Sequence, residues 1–219
     1  MRYLLPAMAA AAALALGVAP GAAAKRTPHD RTPARVKSHV SLHLSRHLLT
    51  GGHAVAIRGR VNPSGRRRVK VVARGGGDVD VLSVLSKPNG SFAARWRPPG
   101  IGAYRVRAYA THHRRIRGAA SRPRNLSAYR RAIASYYGPG LYGGALACGG
   151  TLQPGTLGVA HKTLPCGARV TLRYRGRTLT VPVVDRGPYA AGREFDLTEA
   201  TKARLGFPDV GVLMFSRGG

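Results

Sequence analysis

Short segments in which apolar and polar residues alternate constrain the fold of this chain most strongly. Val55 and Ile57 alternate with smaller or polar neighbours, and the same alternation runs through residues 91–97 and 104–108. A period of two places successive side chains on opposite faces of a β-strand, one of them buried. Turn residues separate the segments, at Asn62-Pro63-Ser64-Gly65, Gly75-Gly76-Gly77, Lys87-Pro88-Asn89-Gly90 and Arg97-Pro98-Pro99-Gly100. The pattern predicts an all-β fold, with a β-sandwich over residues 36–132.

The beginning of the chain has the pattern of a secretory signal peptide. A short basic start precedes an almost wholly apolar run from Leu4 to Val18, and Ala22-Ala23-Ala24 supplies the small residues needed for cleavage. The alternative is a membrane anchor, but the run is shorter than the ~20 residues that span a bilayer. We therefore expect residues 1–24 to be removed, residues 25–35 to form a flexible basic tail, and the product to be secreted to the cell wall with no transmembrane segment.

Export changes what the cysteines are expected to do. Cys148 and Cys166 are the two cysteines of the 219-residue chain, and oxidising compartments favour a disulfide. The alternative is a thiol nucleophile assisted by His161, although no cysteine-peptidase signature surrounds either residue. A disulfide closing this loop would contribute ~3 kcal/mol to the free energy of unfolding.

Positive charge is concentrated in the first part of the chain. The formal net charge is +28, and 26 of the 36 Lys and Arg residues precede residue 133. Such a charge favours an anionic neighbour, and outside the cell that means anionic wall polymers rather than nucleic acid. The loop from His112 to Arg117 is a candidate contact. The alternative is an ordinary solvated arginine-rich face. We expect no metal site and no cofactor, because no set of ligands has a suggestive spacing.

The chain changes character near residue 133, where glycine and tyrosine become frequent. The segment Ala134-Ser135-Tyr136-Tyr137-Gly138-Pro139-Gly140 leads into four blocks in order: Cys148-Gly149-Gly150-Thr151-Leu152, then Gly158-Val159-Ala160-His161-Lys162-Thr163-Leu164-Pro165-Cys166-Gly167, then Val183-Val184-Asp185-Arg186-Gly187-Pro188-Tyr189, then Phe195-Asp196-Leu197. Together they resemble the rare lipoprotein A (RlpA)-like domain, a six-stranded double-psi β-barrel related to expansins and barwin, over residues 133–219. The strand and turn motifs of residues 36–132 resemble bacterial immunoglobulin-like modules.

The resemblance implies action on peptidoglycan glycan strands, either by lytic transglycosylation or by expansin-like binding and loosening without turnover. Asp185 ends a strand that is backed by Val183 and Val184, and partial desolvation there suits a carboxylate to proton transfer. The resemblance makes Asp185 the expected acid/base, His161 its assistant and Asp196 a second groove carboxylate. The alternatives are that Asp185 caps the turn at Arg186-Gly187-Pro188 and that His161 is bonded to backbone.

Further contacts with the glycan are expected from flat or polar side chains near these blocks. The expected substrate-binding residues are Tyr136, Tyr137, Tyr189, Arg186 and Thr151. Tyrosine faces suit sugar rings, although each could instead be a core residue, as is expected for Phe207 and Phe215. Arg186 could hold a peptide carboxylate or pair with Asp196 or Glu194.

Two features complicate the enzymatic interpretation. Enzymatic RlpA-like domains carry an acidic residue after the Gly equivalent to Gly149, where this chain has Gly150 and Thr151. A glycoside hydrolase needs two carboxyl groups, whereas a lytic transglycosylase can use one. The spacing of Asp196 and Glu199 also matches a capping box for a helix over residues 197–205 that ends at Gly206.

Overall fold

The computed structural model describes residues 35–218, which form strands and one short helix. The elements in chain order are β1 His39–Leu44, β2 Leu48–Thr50, β3 Val55–Asn62, β4 Arg68–Gly75, β5 Asp78–Leu85, β6 Ser91–Trp96, β7 Gly102–Ala110, β8 Ala119–Ala120, β9 Arg124–Tyr137, β10 Val159–Ala160, β11 Arg169–Tyr174, β12 Arg177–Asp185, β13 Phe195–Thr198, α1 Glu199–Leu205 and β14 Gly211–Arg217. The all-β prediction is confirmed. The predicted signal peptide and residues 25–34 of the predicted tail lie outside the described residues.

The first half of the described chain forms two layers. Strands β1, β3 and β6 make an antiparallel three-stranded sheet, and β5, β4, β7 and β9 follow one another in a second sheet. Buried side chains of both sheets share one core, among them Ile57 from the first and Val71 and Val106 from the second. The predicted strands around Val55, Phe92 and Tyr104 are therefore present, because their apolar faces meet in this core.

A polar contact is built into that core at Trp96. Its ring packs edge-on against Tyr104, with 5.1 Å between the ring centroids. The indole Nε1–H donates to Asp80 at 2.7 Å, so the one polar group of the tryptophan is satisfied.

One long strand joins the two halves of the described chain. The first part of β9 pairs with β7, from Leu126 opposite Tyr104 to Ala128 opposite Gly102. Its second part pairs with β14, where Ala134 lies opposite Gly211. The boundary predicted at residue 133 falls inside this continuous strand.

Six strands of the second half are hydrogen-bonded in a closed ring. The order is β9, β13, β10, β12, β11 and β14, and the pairing of β14 with β9 returns to the start. Strands β11 and β12 form a hairpin with its turn at Arg175-Gly176. Phe195, Leu197 and Leu213 are buried inside, and Phe207 and Phe215 are buried as predicted.

The capping box predicted at Asp196 and Glu199 is wrong. The N-cap of α1 is Thr198, whose side chain accepts the backbone N–H of Thr201, because β13 continues through Asp196 as far as Thr198. The predicted end at Gly206 is confirmed, since this residue adopts a left-handed φ of 64°. Among residues 35–218, no helix is long and apolar enough to cross a membrane.

Candidate functional site

Asp185 is the last residue of β12, and its carboxylate is held on one side. The Oδ1 atom accepts the backbone N–H of Arg186 at 2.8 Å and that of Ala147 at 2.9 Å. The first contact is the turn cap considered as an alternative role. The Oδ2 atom takes no hydrogen bond of normal geometry from the described part of the chain. One oxygen is thus fixed in place and the other is left for a ligand.

Asp185 and Asp196 flank a single small residue. Ala160 of β10 pairs with Asp185 of β12 on one side and with Asp196 of β13 on the other. Two strand spacings separate the acids, roughly 10 Å between their Cα atoms. The side chain of Ala160 itself is buried.

Strand β9 adds the side chains of Ser135 and Tyr137 to this face, and Ser135 contacts Asp196. Ser135 lies opposite Asp196 in the parallel pairing, and its hydroxyl donates to the Asp196 carboxylate. Ser135 also accepts a hydrogen bond of 3.1 Å from Arg193. Asp196 is therefore held by Ser135, which in turn is held by Arg193 of the loop before β13.

The Tyr137 hydroxyl lies beside both carboxylates. Burial, and secondarily the charges of Asp185 and Asp196, raise the pKa of Tyr137 well above its usual value. The hydroxyl is close enough to Asp185 to interact with it, yet it is buried without a hydrogen bond of normal geometry to any described residue. Tyr137 is thus a neutral phenol that can still donate its proton to a nearby acceptor.

His161 is turned away from the Asp185 carboxylate. Its ring packs against the buried Phe195, with 4.9 Å between ring centroids. The Nδ1 atom accepts the backbone N–H groups of Thr163 and Leu164, and the contact with Asp185 is between backbone atoms, from His161 N to Asp185 O at 3.1 Å. These contacts match the alternative of a backbone-bonded histidine.

The Nε2 atom of His161 faces Glu194, at 3.6 Å from its Oε1 atom. Because Nδ1 accepts two hydrogen bonds, the ring proton lies on Nε2 in the neutral form. Burial lowers the pKa of His161, and Glu194 offsets part of that effect. His161 is therefore held neutral near pH 7 with its tautomer fixed.

Glu194 forms a bidentate ion pair with Arg130 that the sequence did not indicate. Arg130 also stacks over Phe215, with its guanidinium carbon 4.3 Å from the ring centroid. Arg130 lies on β9 and Glu194 precedes β13, so only the pairing of these distant strands brings them together. With His161, the pair lines a cleft of about 750 Å³ that extends to Asp78 and Gly100 of the first half.

Arg186 supports the loop after His161. It donates from Nη1 to the carbonyls of His161 at 3.1 Å and Leu164 at 2.9 Å. Its Nη2 contacts Cys166 Sγ at 3.0 Å. Arg186 thus binds the carbonyls and the sulfur of this loop, whereas Asp196 binds Ser135 and Glu194 binds Arg130.

The predicted disulfide between Cys148 and Cys166 is confirmed. It connects the segment that contacts Asp185 to the loop that follows His161. The backbone N–H of Cys148 also donates to Val184 at 3.2 Å. The disulfide therefore joins the loop after His161 to Cys148, which directly follows the Ala147 donor to Asp185.

The remaining predicted contacts differ in accessibility. Tyr189 is 83% exposed, whereas Tyr136 is partly buried with the Lys202 ammonium 3.6 Å above its ring. Thr151 is exposed and accepts a hydrogen bond from Gln153. Tyr189 and Thr151 are free to meet a large ligand. Within residues 35–218, no three side chains of His, Cys, Asp or Glu come together to hold a metal ion.

Comparison with known proteins finds a family match for this half of the chain. Residues 130–216 match the family model described as lytic transglycolase, DPBB_1. The endolytic peptidoglycan transglycosylase RlpA of Yersinia pestis is 42% identical over 85 residues, which are 38% of this chain and 23% of the relative. RlpA of Campylobacter jejuni is 40% identical over 75 residues, 33% of this chain and 27% of the relative.

Among solved structures, the Streptomyces papain inhibitor is 27% identical, and the match covers 40% of this chain and 92% of the inhibitor with a TM-score of 0.32. The match to the RlpA proteins spans about a quarter of their length. The sequence blocks, the order of the strands and the family match agree on the same segment. Residues 130–216 are therefore an RlpA-like domain of the double-psi β-barrel family.

Proposed function

We propose that this protein acts on peptidoglycan and cleaves its glycan strands by intramolecular transglycosylation, with Asp185 as both acid and base. The observation that carries the proposal is the geometry of the Asp185 carboxylate: Oδ1 is fixed by two backbone N–H groups, while Oδ2 accepts no hydrogen bond of normal geometry from residues 35–218. The relatives named as endolytic peptidoglycan transglycosylases support the substrate class.

The reaction needs two proton transfers, one from Asp185 and one back to it. Asp185, protonated on Oδ2, gives its proton to the glycosidic oxygen as the bond from that oxygen to the sugar's C1 breaks. The sugar's own 6-hydroxyl then attacks C1 while the Asp185 carboxylate takes up the hydroxyl proton. The products are a strand with a free 4-hydroxyl and a strand that ends in a 1,6-anhydro sugar. Asp185 is protonated again at the end, so no water is consumed.

The neighbours of Asp185 have separate roles in this proposal. The Asp196 carboxylate, across Ala160, stabilises positive charge that develops at C1. The Tyr137 phenol, whose hydroxyl has no hydrogen bond of normal geometry to the described residues, donates a hydrogen bond to a carboxylate during the reaction. Tyr189 offers an exposed face on which a sugar ring can lie. His161 and Arg186 act by holding the loop of residues 161–166 against β12.

A second candidate is binding or loosening of the wall without cleavage. The hydrogen bonds from Ala147 and Arg186 match the role of a turn cap, which was the alternative considered for Asp185. Gly150 and Thr151 stand where the family resemblance implies an acidic residue in the enzymatic members. These two observations favour a binding protein with the same substrate.

The finer architecture forms part of the proposal. We assign residues 36–132 to an immunoglobulin-like module on the basis of their two layers and shared core. We place the protein outside the cytoplasm, since the disulfide suits an oxidising compartment.

Digestion of isolated sacculi tests the choice between the two candidates. The purified protein, an Asp185→Asn variant and an Asp209→Asn variant are incubated with sacculi, and the soluble products are analysed by mass spectrometry. Asp209 is an exposed acid that pairs with Lys202, so its variant has the same change of charge. If the protein cleaves glycan strands, wild type and Asp209→Asn should both release 1,6-anhydro products and Asp185→Asn should release none. Sedimentation of all three proteins with sacculi, without such products, would establish the binding protein instead.

A further inference from the structure

A buried arginine lies in the first half of the described chain, far in sequence from the acids discussed above. The Arg67 side chain is 2% exposed. Its Nη2 donates to the carbonyls of Thr111 at 2.8 Å and Arg117 at 3.0 Å. Its Nε and Nη1 atoms are buried without a hydrogen-bond partner among the described residues. A buried cation with unmet donors is costly unless a counter-charge compensates it.

The described chain supplies no such counter-charge near Arg67. Between residues 35 and 132 the acidic residues are Asp78 and Asp80. Asp80 accepts the Trp96 indole, and neither aspartate lines the cleft beside Arg67. The carbonyls that Arg67 meets carry only partial charges. Burial accordingly lowers the pKa of Arg67.

Arg67 lines a cleft of about 420 Å³ that is bordered by further cations. Arg66, Arg114 and Arg115 lie around it and are exposed, with His113 beside them. Four arginine residues thus line one concave surface. Arginine is suited to planar, bidentate contacts with phosphate and carboxylate oxygens, which a solvated lysine is not.

The loop that carries these cations is fixed by backbone hydrogen bonds. The N–H of Val36 donates to Arg115 O at 2.9 Å, and the N–H of Arg117 donates to Val36 O at 3.0 Å. His113 and Ile116 exchange two more hydrogen bonds. Arg114 adopts a φ of 49°, in the left-handed region, which a free loop would avoid. The backbone that carries Arg114 and Arg115 therefore has a fixed conformation before any ligand arrives.

We propose that this cleft, with Arg67 at its base and Arg66, Arg114 and Arg115 at its rim, is a binding site for a phosphate group. The inference goes beyond the proposed cleavage of glycan strands, because it concerns a different ligand and a different part of the chain. A simple solvated arginine face does not account for it, since such a face would leave no arginine buried with unmet donors.

The test is a titration of the purified protein with inorganic phosphate at constant ionic strength, followed by nuclear magnetic resonance of the arginine Nε–H groups. The Arg67 signal is assigned by its loss in an Arg67→Lys variant, which has no Nε–H. Saturable movement of this signal is expected. No movement of the signal, or movement that sodium chloride reproduces equally, would overturn the proposal.

Exposed variants keep the test decisive if the Arg67 variant fails to fold. Arg66→Ser and Arg115→Ser are each expected to raise the dissociation constant for phosphate roughly tenfold, by removing a charge-assisted contact. The matched control is Arg105→Ser, an exposed arginine on β7 outside the cleft. It is expected to change the constant less than about twofold, because distant surface charges are screened. Equal effects of all three variants would show a diffuse field and refute the site.

A competition experiment distinguishes the sources of the phosphate. Poly(glycerol phosphate) is added to the phosphate-saturated protein, with uncharged dextran as the control polymer. If the phosphate-bound Arg67 signal disappears and a distinct signal of the polymer-bound protein replaces it, the site is assigned to phosphodiester chains. Absence of competition would assign it to small phosphates.

Discussion

The Oδ1 atom of Asp185 accepts a hydrogen bond of 2.9 Å from the backbone N–H of Ala147, 38 residues earlier in the chain. Ala147 directly precedes Cys148, whose disulfide to Cys166 crosses to the loop after His161. The position of the acid thus depends on a covalent link as well as on β12. This arrangement connects the stability of the domain to the chemistry proposed for it.

Removal of the disulfide is predicted to lower both the stability of the domain and its cleavage of glycan strands. The link closes a loop with a sequence separation of 18 residues, so the Cys148→Ser, Cys166→Ser double variant should lose ~3 kcal/mol of unfolding free energy. Cleavage of sacculi should also fall, because Ala147 is no longer tethered beside Asp185. Urea denaturation measures the first effect, with reduced wild type as the comparison. A double variant as stable and as active as oxidised wild type would contradict the prediction.

The Tyr137 hydroxyl is predicted to serve the reaction rather than the fold. Because the group is buried without a hydrogen-bond partner in the described structure, its removal in Tyr137→Phe should change the unfolding free energy by less than about 1 kcal/mol. The rate of product formation should fall, since a donor next to two carboxylates is lost. An unchanged rate together with a large loss of stability would reverse this assignment.

His161 is predicted to make stability depend on pH. Burial lowers the pKa of His161 in the folded protein below the 6.5 of the unfolded chain. Below pH 6.5 the unfolded chain therefore binds more protons, which favours unfolding. The contribution of His161 is complete above pH 6.5 and is lost as the pH falls through the folded value.

The measurement is the free energy of unfolding between pH 7.5 and about pH 5. In His161→Asn, the amide oxygen can still accept hydrogen bonds from Thr163 and Leu164, so the variant is expected to fold. Its stability should decline less steeply below pH 6.5 than that of wild type. Parallel curves for the two proteins would show that other groups cause the slope.

Tyr189 is predicted to bind sugar without supporting the fold. Its 83% exposure implies that Tyr189→Ala leaves the unfolding temperature unchanged. Affinity for isolated glycan strands should fall roughly three- to tenfold, the effect of losing one aromatic stacking surface. Tyr142→Ala, at a tyrosine that is 38% exposed, is the matched control. Equal losses in both variants would argue against a specific role for Tyr189.

Local patterns predicted much of the fold because strand alternation is a local property. The segments around Ile57, Phe92 and Tyr104 bury alternate side chains as their sequence indicates. The ring closure by β9 was not predictable in the same way, since it depends on partners distant in the sequence. The capping box failed for a related reason. Asp196 is held in β13 by Ser135, so Thr198 begins the helix.

The candidate site was predicted only in part, because local sequence blocks identify single residues but do not show which strands pair. Asp185 and Asp196 were identified from their sequence blocks, and the register of β10 places them on either side of Ala160. The contact of His161 with Glu194 and the ion pair with Arg130 arise from strand pairing that no local spacing reveals. The burial of Arg67 was likewise hidden, because an arginine between Arg66 and Arg68 has the sequence appearance of a solvated run.

Digestion of sacculi in water enriched in oxygen-18 tests the central claim most directly. If Asp185 carries one proton to and from the sugars, water takes no part, and the products should end in 1,6-anhydro sugars without the heavy isotope. Asp185→Asn should release none of them. Products with a reducing end that contains oxygen-18, or anhydro products released equally by Asp185→Asn, would contradict the account.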